Sequence, residues 1–240
     1  NDSIDIGPYE TVVPDCNLYM AGVVYVDSAA APGGNGRTWD SAFTDLQDAL
    51  TVAAFCGVDS IFVAQGTYYP SQTIINNSCP NQLPDTIEGD RNASFIIPES
   101  TVMLGGFPQG GGTLEERNWI CNKTILCGEI QQDGDSSNNS YTIVKTINVG
   151  EEVIVDGFCI RDAVDNEDEG LNQGGGWYNA AIGTVPSDGS NFSSPLIRNC
   201  VFINNFAGLG GAFFNYAAEG GEATAQFVNC QFRGNTAFRG

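Results

Sequence analysis

The rhythm of hydrophobic and polar positions changes once along this chain. Residues 1–22 are irregular, with prolines at 8 and 14, and lead into Val23-Val24-Tyr25-Val26, a β-branched and aromatic run that predicts a first strand. A glycine-rich loop, Pro32-Gly33-Gly34-Asn35-Gly36, follows. Phe43, Leu46, Leu50 and Ala53 or Ala54 then recur at three- and four-residue spacing. They predict a helix over about 41–54, capped by Asp40 or Ser41.

Beyond the helix the apolar runs become short and β-rich: 60–64, 94–97, 101–104, 124–126, 141–146 and 153–160. Gly, Asn, Asp and Pro clusters separate them. Many short strands without intervening helices predict an all-β barrel, sandwich or solenoid.

A repeat decides among these. Ile197-Arg198-Asn199-Cys200-Val201-Phe202-Ile203-Asn204-Asn205 aligns with Phe227-Val228-Asn229-Cys230-Gln231-Phe232-Arg233-Gly234-Asn235 at an offset of 30 residues. Val155-Asp156-Gly157-Phe158-Cys159-Ile160 fits more loosely, with Phe158 in the place of Cys200. Gly174-Gly175-Gly176-Trp177-Tyr178-Asn179 also recurs, as Gly210-Gly211-Ala212-Phe213-Phe214-Asn215. Repeats of this length predict a solenoid, in which each strand pairs with its equivalent one coil away. Cys200 over Cys230 and Phe202 over Phe232 would then form interior ladders, with Asn205 and Asn235 at the bends.

The FxxN stretches Phe202-Ile203-Asn204-Asn205 and Phe232-Arg233-Gly234-Asn235, with Gly210-Gly211-Ala212, resemble the signatures of bacterial polymorphic outer-membrane proteins and related β-helix surface proteins. The amino-terminal half is similar to large secreted β-helix proteins of Bacteroidota, through residues 25–27, 35–39, 42–50, 61–70 and 104–107. The resemblance implies a right-handed parallel β-helix with an N-terminal capping helix, spanning 23–240 as one domain whose coils are clearest at 153–240. It also implies secretion, display at the cell surface or in the matrix, and a structural or adhesive role within a longer polypeptide. Aligning Asn235 on Asn205 puts Gly240 on the first glycine of a GGA turn, so further coils, or self-association with a stacked copy, are expected beyond residue 240.

Charge narrows the partners. Nine Lys and Arg against 29 Asp and Glu, with no histidine, give a formal charge of −20, which repels nucleic acid and anionic lipid. Glycans, cell-surface polysaccharide and cations remain. No run approaches the roughly 18 apolar residues of a membrane helix, so no membrane insertion is expected. Eight cysteines without a CxxC pair point to an oxidising compartment. Spacing alone fixes no pairing; Cys16 with Cys56 and Cys79 with Cys121 are two candidates. For Cys200 and Cys230 a buried thiol ladder is favoured over a bond, because stacked parallel side chains are poorly angled for one.

For chemistry, the acidic loop at 162–170 offers Asp162, Asp165, Glu167 and Asp168 as hard oxygen ligands for calcium, without EF-hand spacing; a solvated acidic loop is the simpler reading. Asp133-Gly134-Asp135 is a second stretch of this kind. Catalysis on a β-helix needs clustered carboxylates, or a carboxylate with a basic partner, on one strand face. Here the acids gather in loops, the lysines are only Lys123 and Lys145, and no such pair recurs at a coil period, so an enzyme is not expected. The alternative is a polysaccharide-binding or polysaccharide-degrading β-helix, with Trp177, Tyr178, Phe213 and Phe214 as candidate sugar-stacking rings, alternate ones being core. Asp-Ser/Thr motifs resemble the O-glycosylation motif of Bacteroidota secreted proteins. Ser3, Ser28 and Thr86 are the candidate acceptors, Ser41 and Ser60 being taken by helix cap and strand entry.

Overall fold

The structure, a computed structural model, describes residues 14–75, 85–88, 90–166, 174–182, 191–218 and 220–239. It is mostly β, with parallel sheets and one α-helix. The first sheet orders Val23–Val26, Ser60–Ala64, Val102–Phe107, Ile154–Asp156, Leu196–Arg198 and Gln226–Val228 side by side. The second orders Gly66–Tyr68, Thr124–Cys127, Phe158–Arg161, Val201–Ile203 and Gln231–Arg233. The third orders Phe95–Ile96, Val144–Ile147, Trp177–Ala181 and Phe213–Ala217. Within each sheet spatial order follows chain order, and each parallel neighbour is reached by a long return of the chain, as parallel pairing requires.

Because side chains alternate across a strand, each sheet sends one column of apolar groups inward. Val24, Ile61, Met103, Val155, Ile197 and Phe227 are successive register partners in the first sheet, the first five fully buried. Tyr68, Leu126, Ile160, Phe202 and Phe232 form the column of the second. Phe95, Val144, Trp177 and Phe213 form that of the third. Full burial of such a side chain contributes roughly 1.5–3 kcal/mol; Phe227 and Phe232, at 38% and 50% exposed, contribute less. Phe202 and Phe232 stack with ring centroids 5.0 Å apart and planes 9° from parallel, which bears out the 30-residue alignment.

In the last three returns the passage from first to second sheet takes a left-handed backbone. Gly157, Asn199 and Asn229 occupy that position in successive returns, at φ 89°, 51° and 54°. Glycine and asparagine are the residues that adopt it at least cost. The asparagines add a ladder of their own: Asn229 Nδ2 donates to Asn199 Oδ1 at 2.8 Å, and Asn199 Nδ2 to Asp156 Oδ1 at 2.9 Å. The run at 153–160, read from sequence as one strand, is therefore two strands split at Gly157.

The helix, α1, spans Leu46–Cys56, and its cap is Asp45, not Asp40 or Ser41. Asp45 Oδ1 accepts from Gln47 N at 2.8 Å, and Gly57 ends the helix at φ 64°. Trp39–Ser41 is a short 3-10 turn capped by Thr38. The helix starts late because Phe43 is extended: its N–H donates to Tyr25 O and its carbonyl accepts from Asp27 N. That pairing covers the free edge of Val23–Val26, and the Gly36 carbonyl accepts from Tyr25 N in the same cover. A Cβ on Gly36 would lie 2.2 Å from the Phe43 ring. Leu46, Ala49, Leu50, Val52 and Ala53 are buried, and α1 packs on the strands Val23–Val26, Ser60–Ala64 and Phe95–Ile96.

The lead-in is tied to this helix by a Cys16–Cys56 disulfide. Closing a loop of 40 residues stabilises by about 4 kcal/mol on the chain-entropy account. Cys200 and Cys230 are free and in register. Their thiols donate to the carbonyls of Arg198 (3.1 Å) and Ile197 (3.4 Å), as the thiol-ladder reading expects. Cys121 is an exposed free thiol, and Cys79 lies outside the described residues.

Candidate functional site

The third sheet separates its aromatic residues by face. Trp177 is fully buried and its indole N–H donates to Thr146 Oγ1 at 2.8 Å. Asn179, also inward, receives hydrogen bonds at Oδ1 from Thr146 (2.8 Å) and Ser193 (2.6 Å) and donates to Asn215 Oδ1 (2.7 Å). These polar side chains lock Trp177–Ala181 between its neighbours and so set the outward residues. Tyr178 and Phe214 are outward register partners, with centroids 6.4 Å apart and planes 9° from parallel. Tyr216 joins them, its ring 6.3 Å from Tyr178. Trp177 and Phe213 are thus core and Tyr178 and Phe214 surface, as alternation predicts. Tyr216, missed in sequence, lies two positions beyond Phe214 on the same face.

These rings stack on one another, so their faces are partly consumed and their edges and two phenol groups are what a ligand meets. Burial, with Tyr216 adding to it, raises the Tyr178 pKa, which keeps the hydroxyl a proton donor through the neutral range. An edge-and-hydroxyl surface of this kind offers C–H contacts and hydrogen bonds to a sugar.

A second constellation sits on the first sheet. Asp156 is buried, and Arg117 Nη2 meets its Oδ1 at 2.6 Å, Arg198 Nη2 its Oδ2 at 3.0 Å, and Asn199 Nδ2 its Oδ1 at 2.9 Å. Arg117 Nη2 also donates to the Asp156 carbonyl at 2.7 Å. One carboxylate and one base do meet across adjacent strands, since Asp156 and Arg198 are register partners, but the pair does not recur: Val228 stands opposite Arg198 in the next strand. The alignment of Val155-Asp156 on Ile197-Arg198 carried that signal. With both oxygens held by donors, the carboxylate serves as a strut, and its lone pairs are committed to that work.

The proposed calcium residues are only partly brought into view. Glu167 and Asp168 lie outside the described residues. Asp162 pairs with Arg161 at 3.2 Å, and Asp165 is buried in the field of Lys145, whose own pKa burial lowers while Asp165 and Asp90 raise it. Among the described residues no three Asp, Glu, Cys or His side chains converge as a metal cluster. Asp133 Oδ1 accepts from Asp135 N and its Oδ2 from Asn138 Nδ2, both at 2.9 Å, so that stretch is occupied with its own turn.

Of the candidate glycan acceptors, Ser3 lies outside the described residues and Thr86 is on the strand Asp85–Glu88, which pairs antiparallel with Gln72–Ile75. Ser28 is exposed, but its backbone N–H donates to Tyr68 Oη at 3.3 Å. Asp27 before it is buried, accepting from Ala29 N at 2.9 Å and Gly110 N at 2.7 Å, so this Asp-Ser pair also shapes a turn.

No protein-family model, curated protein or solved structure matches the chain.

Proposed function

We propose that this chain is an extracellular structural and adhesive module, built as a right-handed parallel β-helix whose α1 caps one end, and that it binds glycans through the outward rings of the third sheet. The observation that carries the reading is the ladder of Tyr178, Phe214 and Tyr216 on the outside of strands whose inward residues are locked by packing and hydrogen bonds. Rigid elements hold a recognition surface more sharply than loops do. The disulfide is compatible with an oxidising, extracellular setting.

A polysaccharide-cleaving β-helix is the competing reading; it would have to draw on the Asp156, Arg117 and Arg198 group, whose carboxylate is already held by three donors. Incubation with a panel of neutral and acidic polysaccharides separates the two. Retention of a polysaccharide with no change in its chain ends supports the adhesive reading. New reducing or unsaturated ends, lost in Asp156→Asn, overturn it.

A further inference from the structure

The loop after the strand Thr124–Cys127 and the turn after the strand Phe158–Arg161 meet in a cleft of about 330 Å³ lined by Glu129, Gly134, Ser136, Asn139, Asp162 and Asn204. The backbone holds it firmly: Gly128 N donates to Arg161 O (2.9 Å), Ser140 N to Gly128 O (2.7 Å) and Asp162 N to Ile203 O (3.2 Å). Asp162 stands at φ 64°, in the left-handed region, directly after the strand Phe158–Arg161.

Three oxygen donors of the lining have unspent capacity. Asn139 is 2% exposed; its Nδ2 donates to Asp162 O at 2.6 Å, yet its Oδ1 has no hydrogen-bond partner. A buried amide oxygen left this way carries a desolvation cost that a ligand would relieve. Two carboxylates share the cleft with it. Glu129 Oε1 accepts from Gly134 N, and Asp162 meets Arg161 and the Cys127 thiol through Oδ2. Arg161 is the guanidinium that meets a carboxylate here; Arg91 spends its donors on the lining backbone, at Asn139 O (2.8 Å) and Val164 O (2.7 Å). Burial holds Asp162 above the ordinary carboxylate range; Arg161 opposes this and Glu129 adds to it.

We propose that this cleft binds a calcium-class divalent cation through the carboxylates of Glu129 and Asp162 and the Oδ1 of Asn139, with backbone carbonyls and water completing the shell. Carboxylate, amide and carbonyl oxygens in an irregular loop match the hard, geometrically tolerant calcium ion better than magnesium, which demands near-ideal octahedral coordination. The site takes one ligand, Asp162, from the acidic stretch at 162–170 and no carboxylate from Asp133-Gly134-Asp135. Asp162 is shared with the earlier expectation, whereas Glu129 and Asn139 replace Asp165, Glu167 and Asp168. It does not depend on glycan binding.

The test uses the whole chain, stripped with chelator and titrated with calcium by calorimetry, with terbium luminescence as a second probe. The expected affinity is that of extracellular modules, about 10⁻⁴–10⁻³ M, with magnesium at least about tenfold weaker. Asp162→Asn and Glu129→Gln should each weaken calcium at least about tenfold. Asp133→Asn, in the same loop but outside the lining, should bind as the parent does. Circular dichroism without calcium shows whether each variant is folded; if Asp162→Asn is not, Glu129→Gln decides. No calcium binding by the parent at 10-fold above about 10⁻³ M overturns the proposal. So does parental affinity in both cleft variants, or equal loss in Asp133→Asn.

Discussion

Asn205 and Asn235 hold successive strand returns together: Asn205 Nδ2 donates to Asn235 Oδ1 at 2.9 Å, and Asn235 Oδ1 also accepts from Asn205 N at 3.1 Å. Asn205 reaches the other way as well, donating to Ile160 O and accepting from Ala163 N, both at 3.1 Å. Its amide fills, on both sides, the gap that a bend leaves in the strand ladder. Asn205→Ala would leave those buried backbone groups unpaired and should cost about 2–3 kcal/mol. Asn235→Ala, less buried, should cost about 1 kcal/mol. Equilibrium denaturation of the two variants measures the difference, and equal losses would contradict the two-sided role.

The thiols should separate by reactivity. Cys121 is exposed and should react first with an aromatic disulfide reagent. Burial pushes the Cys200 thiol far up, with the neighbouring Cys230 adding to it and backbone hydrogen bonds opposing, so Cys200 should react only on unfolding. Reducing Cys16–Cys56 should lower stability by up to about 4 kcal/mol, and Cys16→Ala with Cys56→Ala should remove the effect of reductant.

Alkaline stability should depend on Tyr68. Its buried phenol donates to Ala64 O at 3.0 Å and is pushed up to about 12, chiefly by burial, with the Ser28 hydrogen bonds opposing. The folded value lies above the ordinary one of about 10, so folding favours the protonated form. That stabilisation is complete below about pH 10 and is lost as pH rises toward 12. Denaturation midpoints should fall across that window, and Tyr68→Phe should flatten the fall.

The Asp156 group should behave as a strut. Asp156→Ala leaves the largely buried Arg117 guanidinium uncompensated and should cost about 3–5 kcal/mol. Arg198→Ala, whose side chain is 38% exposed, should cost under about 1 kcal/mol. Thermal or chemical unfolding distinguishes the two.

What was legible in sequence is what the period carries. Phe202 over Phe232, Cys200 over Cys230, Trp177 over Phe213 and even Phe158 over Cys200 are register partners or lie in register, because the recurring motifs keep their internal spacing while the loops between them vary in length. The start of α1 was not legible, since Phe43 spends its backbone on Tyr25, a tertiary pairing that overrides the helical spacing of its side chain. Arg117 and Asn139 come from loops without a period, so nothing local announces that they reach Asp156 and Asp162. Tyr216 was within reach, through the two-residue alternation from Phe214.

The adhesive reading is tested most directly by measuring glycan binding to the parent chain beside Tyr178→Ala, Tyr216→Ala and, on the second sheet, Ile203→Ala. The account predicts a polysaccharide ligand whose affinity falls at least about tenfold, or about 1.4 kcal/mol, in each tyrosine variant and is unchanged in Ile203→Ala. Binding that survives both tyrosine substitutions in folded protein, or that falls equally in all three, would contradict it.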